Sequence, residues 1–125
     1  MNGHKKKLLI VEDDDAIARL LSMFLREQKF EVSVAQDGEA ALQEAKSTTP
    51  DLIILDLILP SLSGEEICKA IREDDDEEVA RIPIVVLTAK SADVDRIVCK
   101  VTGANSYVTK PFDRQGLLEE IRKWI

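Results

Sequence analysis

The chain has 125 residues, 45% hydrophobic and 33% charged, a balance typical of one folded domain. Its 17 Lys and Arg residues against 24 Asp and Glu leave a net charge of −7. This argues against binding of nucleic acid or an anionic membrane by this domain, because both require clustered positive charge. No apolar run approaches the ~20 residues of a membrane span, and no secretory signal pattern is present. We therefore expect one cytoplasmic domain over residues 1–125, with a core from about residue 7 to residue 124.

Five segments have the patterns of β-strands. Residues 8–11, 52–55 and 84–87 are unbroken apolar runs, which strands buried on both faces require. Residues 31–35 alternate in polarity, and residues 105–109 carry only Tyr107 and Val108 as large apolar groups. These two weaker segments are predicted to be half-exposed edge strands.

Helical spacing of apolar residues separates these strands, and a shorter Ala-rich stretch at residues 39–46 is helical on propensity. The predicted apolar faces are Ile17, Leu20, Leu21, Phe24 and Leu25; Ile67, Ala70 and Ile71; Val94, Ile97, Val98 and Val101; and Leu117, Leu118, Ile121, Trp124 and Ile125. Cys68 and Cys99 lie within these helical patterns, where a small buried residue in a reducing compartment is expected rather than a disulfide or a metal ligand.

Strict alternation of five strands and five helices predicts an α/β fold, a doubly wound parallel sheet with helices on both faces. With the first, third and fourth strands inside and the other two at the edges, the order 2-1-3-4-5 of a flavodoxin-like (β/α)5 domain fits. The acidic run at residues 73–78, between the third helix and the fourth strand, is expected to be a mobile solvated loop because its like charges repel.

Polar residues follow four of the predicted strands. The first strand is followed by the acidic residues 12–15, the third by Asp56, the fourth by Thr88 and the fifth by Lys110. Ligands of an open parallel sheet bind outside the carboxyl ends of the strands, so these groups are expected to meet at one edge. Each of them alone could be an ordinary cap or turn residue. Their joint occurrence at the ends of four neighbouring strands favours a site.

The carboxylates of Glu12, Asp13 and Asp56 are predicted to share this edge. Like charges that close stay ionised only beside a cation; otherwise one of them takes up a proton. Carboxylate oxygens with open coordination positions suit Mg²⁺, which also accepts phosphate oxygens. Lys110 would offer a positive charge to a phosphoryl oxygen and Thr88 a hydroxyl donor, surroundings that suit a carboxylate nucleophile in phosphoryl transfer.

The chain resembles the receiver domain of two-component response regulators, over about residues 7–124. Four motifs carry the resemblance: Ile-Val-Glu-Asp-Asp at 10–14; Leu-Asp-Leu-Ile-Leu-Pro at 55–60 with Gly64 after it; Leu-Thr-Ala at 87–89; and Gly-Ala at 103–104 leading to Tyr-Val-Thr-Lys-Pro-Phe at 107–112. Ser63 stands where many members have Asp.

The resemblance implies a set of roles at the predicted edge. Asp56 would accept a phosphoryl group from a histidine of a sensor kinase or histidine phosphotransfer protein. Asp13 and Asp56 would ligate Mg²⁺ directly, Glu12 would act mainly through metal-bound water, and the backbone carbonyl of Ile58 would complete the protein ligands. Lys110 would contact the phosphoryl group.

The resemblance also implies a conformational switch. Thr88 and Tyr107 match the switch pair of the family, the hydroxyl moving toward the phosphate and the ring moving inward behind it. The switched surface would comprise the fourth predicted helix, the fifth strand and the fifth helix, including residues 94–100 and 114–123. It would act on a downstream output domain or protein, and a phosphorylation-dependent homodimer is compatible with this reading.

Two other functions remain open on the sequence alone. One is a Mg²⁺-dependent phosphohydrolase with an Asp nucleophile, which needs a second catalytic acid where Ile58 stands. The other is an interaction module of receiver fold that works without phosphorylation. A dinucleotide or ATP binder is disfavoured, because no Gly-rich phosphate loop follows the first strand. We expect a signalling switch rather than a turnover enzyme.

Overall fold

The computed structural model describes residues 5–56, 63–88, 103–109 and 113–125. The elements, in chain order, are β1 (Lys7–Val11), α1 (Asp15–Glu27), β2 (Glu31–Ala35), α2 (Gly38–Thr48), β3 (Leu52–Asp56), α3 (Gly64–Arg72), α4 (Glu77–Ala80), β4 (Ile84–Thr88), β5 (Ser106–Thr109) and α5 (Arg114–Arg122). The fourth predicted helix, with Cys99, lies outside the described residues.

The five strands form one parallel sheet in the order β2-β1-β3-β4-β5, which confirms the predicted topology. β1 lies between β2 and β3, and the chain then adds β4 and β5 on the other side of β3. The edge strand β2 is partly exposed as predicted, with Val32 and Ala35 buried and Glu31 and Val34 exposed. The order of strands reverses between β1 and β3, which makes their carboxyl ends the place where a cleft forms.

The sheet is covered on both faces, as the unbroken apolar runs predict. In β1, Leu8 and Ile10 pack into a cluster with residues of α1 and α5, whereas Leu9 and Val11 pack into a second cluster with residues of α2 and α3. Successive side chains of a strand point to opposite faces, so a run without polar residues is stable only between two helical layers. All four of these side chains are at most 1% exposed.

Helix α1 confirms most of its predicted apolar face but not all of it. Leu21 and Leu25 are buried, with Ala18 and Ser22 beside them. Leu20, in contrast, is 68% exposed, so its assignment to the buried face is wrong. Neighbouring residues of a helix are about 100° apart, and the sheet covers only the stripe centred on the four buried residues.

The acidic segment 73–78 is largely exposed, as predicted, but it contains local hydrogen bonds and the start of α4, which the prediction of a loop did not include. The Asp74 carboxylate accepts the backbone N–H of Asp76 at 2.9 Å and lies 3.6 Å from the ammonium of Lys46 in α2. Asp76 caps the short helix α4 by accepting the N–H of Glu78 at 2.9 Å. Carboxylates placed against free N–H groups at a helix start are stabilised there, which offsets the repulsion between like charges.

The carboxy-terminal helix is shorter than its apolar pattern predicts. Leu117, Leu118 and Ile121 are buried in α5, but the helix ends at Arg122, and Trp124 and Ile125 follow it. Trp124 is 39% exposed, and its indole N–H donates to the Ser106 hydroxyl of β5 at 3.1 Å.

Two further expectations can be compared with the described residues. Cys68 is fully buried in the core, as predicted. Across the described ranges, no helix has the length and apolar character that crossing a bilayer requires.

Candidate functional site

Three carboxylates meet at the carboxyl edge of the sheet, as the sequence predicts. One oxygen of each of Glu12, Asp13 and Asp56 lies within 4.8 Å of the others. The register of the sheet explains this, because Val11 of β1 pairs with Leu55 of β3 and the next residues are Glu12 and Asp56. Glu12 is 1% exposed and Asp56 8% exposed, whereas Asp13 is open to solvent.

The backbone after β1 is fixed by bonds that hold Glu12 in place. Its N–H donates to the carbonyl of Ala35 at 3.0 Å, which continues the pairing of β1 with β2 by one residue. Its carboxylate accepts the N–H of Asp14 at 3.3 Å. A carboxylate held close to the backbone in this way cannot swing freely into solvent, so its charge stays at the edge of the sheet.

The four acidic residues 12–15 have different structural tasks. Asp14 is the N-cap of α1, and its carboxylate accepts the N–H groups of Ala16 at 2.9 Å and Ile17 at 3.1 Å. Asp15 begins the helix and accepts a hydrogen bond from the side-chain amide of Gln36, in the connection between β2 and α2. From the sequence, any of the residues 12–15 could cap α1; in the structure the cap is Asp14. The contact between Gln36 and Asp15 has no recognisable pattern in the sequence.

Two further predicted residues, Thr88 and Tyr107, lie in the strands β4 and β5 beyond β3. Asp56 pairs with Leu87 of β4, so Thr88 is the last residue of β4, one position beyond that pair. Tyr107 lies in β5 opposite Val86 and is half-buried against the core cluster of the α2–α3 face.

Two of the predicted site residues, Ile58 and Lys110, lie outside the described residues. Their positions at the site remain predictions from the sequence, in which Ile58 is two residues after Asp56 and Lys110 directly follows Thr109, the last residue of β5. The structure therefore brings Glu12, Asp13 and Asp56 together, and it places Thr88 and Tyr107 on the adjacent strands.

The chemistry of this edge follows from its charge and burial. Two largely buried carboxylates beside an exposed third concentrate negative charge where water cannot fully screen it. Such a group of hard oxygen donors suits a small divalent cation. A carboxylate held beside a cation can also act as a nucleophile, because the cation offsets the charge of an approaching phosphoryl group.

The comparisons with known proteins point in one direction. The model of the family described as the response regulator receiver domain matches residues 8–122. The response regulator ArlR of Staphylococcus saprophyticus is 41% identical over 116 residues, 93% of this chain and 50% of that protein. The DNA-binding response regulator MtrA of Mycolicibacterium smegmatis is 37% identical over 122 residues, 98% of this chain and 51% of that protein. The chain thus spans about half the length of the curated relatives it matches.

Solved structures give the same picture. The chemotaxis response regulator CheY4 of Vibrio cholerae superposes with a TM-score of 0.90 at 30% identity, covering 98% of this chain and 100% of that one. The receiver domain of the sensor histidine kinase PA1611 from Pseudomonas aeruginosa, solved with a magnesium ion coordinated in its active-site cleft, gives a TM-score of 0.88 at 31% identity. That alignment covers 97% of this chain and 98% of that receiver domain.

Proposed function

Because the chain belongs to the receiver domain family of two-component response regulators, we propose that it is a phosphoacceptor switch with Asp56 as the acceptor. The observation that carries the proposal is the burial of Asp56 within a group of three carboxylates at the carboxyl edge of the sheet. Neither alternative left open by the sequence is favoured by the relatives, which are response regulators.

The proposal includes Mg²⁺ as the resident cation. The donor set fits it, because three carboxylate oxygens lie within 4.8 Å of one another and a small hard cation prefers oxygen ligands. Asp13 and Asp56 would hold the ion directly, Glu12 through water, and the carbonyl of Ile58 would add a ligand. When bound, Mg²⁺ would neutralise charge on the transferred phosphoryl group.

The proposed reaction is a single phosphoryl transfer. A carboxylate oxygen of Asp56 attacks the phosphorus of a phosphohistidine, the new P–O bond forms, and the P–N bond breaks. The electron pair of the broken bond stays on the imidazole nitrogen, which takes a proton from solvent. Lys110 would contact the phosphoryl oxygens and hold them in line.

The switch follows from the added charge. A phosphoryl group on Asp56 would add acceptor oxygens and negative charge, to which the hydroxyl of Thr88 and the ammonium of Lys110 would respond. The Thr88 hydroxyl would move toward these oxygens, and the ring of Tyr107 would turn inward on the neighbouring strand. The altered surface would comprise residues 94–100, β5 and residues 114–123.

The partners in the proposal follow from the family. Receiver domains are signalling modules, and their regulators work with sensor histidine kinases and output domains. We assign this chain a sensor kinase or histidine phosphotransfer protein as donor and an output domain or protein as target, acting in the cytoplasm. A homodimer formed on phosphorylation belongs to the same proposal. The family match over residues 8–122 supports treating residues 1–125 as one receiver domain.

The test is the intact mass of the protein after incubation with acetyl phosphate and Mg²⁺. We expect one phosphoryl adduct on the wild type, no adduct on Asp56→Asn, and no adduct when EDTA replaces Mg²⁺. Asp13→Asn keeps the acceptor but removes a proposed metal ligand, so it should still form the adduct while requiring a higher Mg²⁺ concentration. Asp75→Asn, an exposed carboxylate of the acidic segment, serves as the matched control and should behave as the wild type.

Different outcomes overturn different parts of the proposal. An adduct that persists in Asp56→Asn would place the acceptor elsewhere. An adduct that forms equally well in EDTA would remove the metal. Absence of an adduct on the wild type, together with no shift in thermal unfolding on adding beryllofluoride and Mg²⁺, would leave a receiver-like module that works without phosphorylation.

A further inference from the structure

The guanidinium of Arg72, the last residue of α3, joins three separate segments of the chain. Its Nε donates to the carbonyl of Gly103 at 2.9 Å. One terminal nitrogen, Nη1, donates to the carbonyls of Ala80 at 2.9 Å and Ile82 at 2.8 Å. The other, Nη2, donates to the side-chain oxygen of Asn105 at 2.8 Å. The end of α3, the connection from α4 to β4 and the turn before β5 are thus held at one point.

Asn105 extends this contact into the sheet. Its side-chain oxygen accepts the backbone N–H of Ile84 at 2.8 Å as well as the Arg72 hydrogen bond. The backbone N–H of Asn105 donates to the carbonyl of Ile84 at 2.8 Å. The first residue of β4 is therefore bonded twice to the residue before β5, and Arg72 fixes the side chain that makes one of these bonds.

The backbone at Gly103 is shaped to receive the arginine. Gly103 has φ +97°, a conformation that side chains rarely tolerate. A Cβ built there would lie 2.8 Å from Cγ of Arg72. The stem of the arginine therefore packs directly against the turn, and the absence of a side chain at this position allows the close approach.

The chemistry of the contact requires arginine. The four hydrogen bonds end on neutral oxygens that lie in different directions, and only a planar guanidinium offers donors in such a fixed fork. Lysine has a single ammonium and cannot reach all four oxygens at once. Partial burial lowers the pKa of the Arg72 guanidinium from its usual value.

We propose that Arg72 is a positioning residue that fixes the amino-terminal end of β5 against β4 and thereby sets the resting place of Tyr107. Tyr107 is two residues after Asn105 and pairs with Val86. The contact lies at the opposite edge of the sheet from Asp56, since β4 runs about 13 Å from Ile84 to Thr88. Arg72 therefore acts on the switch and leaves the phosphoryl chemistry alone, a consequence that rests on the proposed function.

Three variants separate positioning from simple structural support. Arg72→Met keeps a long stem and removes the donors, and Arg72→Lys keeps the charge with fewer donors. Arg81→Met is the matched control, because Arg81 is exposed and pairs only at the surface with Glu77 at 3.6 Å. Two signals report the effect: hydrogen exchange of individual backbone amides, and the emission of Trp124, the single tryptophan, which is bonded to Ser106 at the start of β5.

The exchange measurement needs no phosphorylation. In Arg72→Met, the amides of residues 105–109 should exchange at least about 10-fold faster than in the wild type, because each carbonyl or amide left without its donor loosens the segment it belongs to. The amides of β1 and β3 should change much less. Arg72→Lys should fall between Arg72→Met and the wild type, and Arg81→Met should match the wild type.

The second measurement uses the phosphorylated protein. Arg72→Met should form the adduct with acetyl phosphate at a rate within about twofold of the wild type, because the acceptor is a strand length away. The change in Trp124 emission per phosphoryl group should fall by at least about half, because β5 no longer starts from one fixed position. Arg72→Lys should recover part of this change.

The outcomes distinguish this proposal from the proposed function. Equal acceleration of exchange in all five strands would show that Arg72 only adds global stability, and unchanged exchange at residues 105–109 would show that it fixes nothing there; either result overturns the proposal. A wild type that takes no phosphoryl group and shows no unfolding shift with beryllofluoride and Mg²⁺ refutes the phosphoacceptor function, and the exchange result alone then decides the role of Arg72. If Arg72→Met does not fold, Arg72→Lys carries the same comparison.

Discussion

Replacing Asp56 by Asn should stabilise the metal-free protein, although Asp56 is the proposed functional residue. In the metal-free protein the carboxylates of Glu12, Asp13 and Asp56 lie within 4.8 Å of one another, and holding like charges this close raises the free energy of the folded state. Unfolding separates these charges, so their repulsion lowers the free energy of unfolding. Asn has nearly the same shape as Asp and carries no charge, so the substitution removes the repulsion with little change in packing.

The size of the effect follows from the distance and the burial. Two unit charges 4.8 Å apart repel by about 3.5 kcal/mol at an effective dielectric constant of ~20 and by about 0.9 kcal/mol in water. The pair formed by Glu12 and Asp56 lies toward the larger value because both residues are buried, whereas Asp13 is exposed and adds less. We therefore expect Asp56→Asn to raise the free energy of unfolding by about 1–3 kcal/mol.

Urea unfolding in EDTA at low ionic strength measures this directly. With an m-value of ~1.5 kcal/mol/M, a gain of about 2 kcal/mol moves the midpoint up by roughly 1.3 M. Added Mg²⁺ should stabilise the wild type, by about 2.7 kcal/mol at 100 times its dissociation constant, and should stabilise Asp56→Asn by much less. Raising the salt concentration should reduce the difference between the two proteins in EDTA.

Asp75→Asn is the control for the loss of one negative charge, and its free energy of unfolding should stay within about 0.5 kcal/mol of the wild-type value. The reasoning fails if Asp56→Asn has the same stability as the wild type in EDTA, or less. It also fails if Mg²⁺ stabilises both proteins equally, because the ion would then bind without Asp56.

Two further substitutions test the packing of the central strand and the capping of α3. Ile54→Ala removes a side chain with no exposed surface from the central strand β3, and it should lower the free energy of unfolding by about 2–5 kcal/mol in urea; a loss below about 1 kcal/mol would mean that the core is not close-packed there. Ser63→Ala removes the capping box of α3, in which the Ser63 hydroxyl accepts the N–H of Glu66 and the Glu66 carboxylate accepts the N–H of Ser63, both at 3.2 Å. It should cost about 0.5–2 kcal/mol, whereas Ser63→Asp, which can still cap, should cost clearly less; equal losses would show that the hydroxyl does not act as a cap.

Ser63 also shows how a family departure is accommodated. Many receiver domains have Asp at this position, and the sequence alone indicates only a change in loop chemistry. In the structure Ser63 is the N-cap of α3, a role that Ser and Asp fill about equally well. The departure therefore concerns the start of a helix and leaves the three carboxylates of the site unchanged.

The sequence predicts the sheet and most of the described site because the patterns of strands and helices recur along the chain. Unbroken apolar runs predict strands between two helical layers, and the weaker alternation at residues 31–35 predicts an edge strand. Once the strand order is known, Glu12 and Asp56 must lie side by side, since Glu12 directly follows β1 and Asp56 is the last residue of the neighbouring strand β3. The carboxylates therefore meet because of the strand order, and the strand order can be predicted from the pattern of apolar segments.

Other features were decided only by tertiary contacts. Of the four acidic residues 12–15, Asp14 is the cap and Glu12 is buried, a distinction that local sequence does not make because all four are acidic. Leu20 belongs to the helical apolar pattern of α1 but lies beyond the stripe that the sheet covers.

The acidic segment and Arg72 show the physical reason most clearly. The like charges of residues 73–78 repel one another, but in the fold the carboxylates of Asp74 and Asp76 accept backbone N–H groups, and Asp74 also lies near the ammonium of Lys46. Arg72 reaches Gly103, 31 positions further along the chain. The spacing of apolar residues indicates which face of a helix or strand is buried. It does not identify a hydrogen-bond partner far away in the sequence, because the two residues meet only after the strands and helices between them have packed.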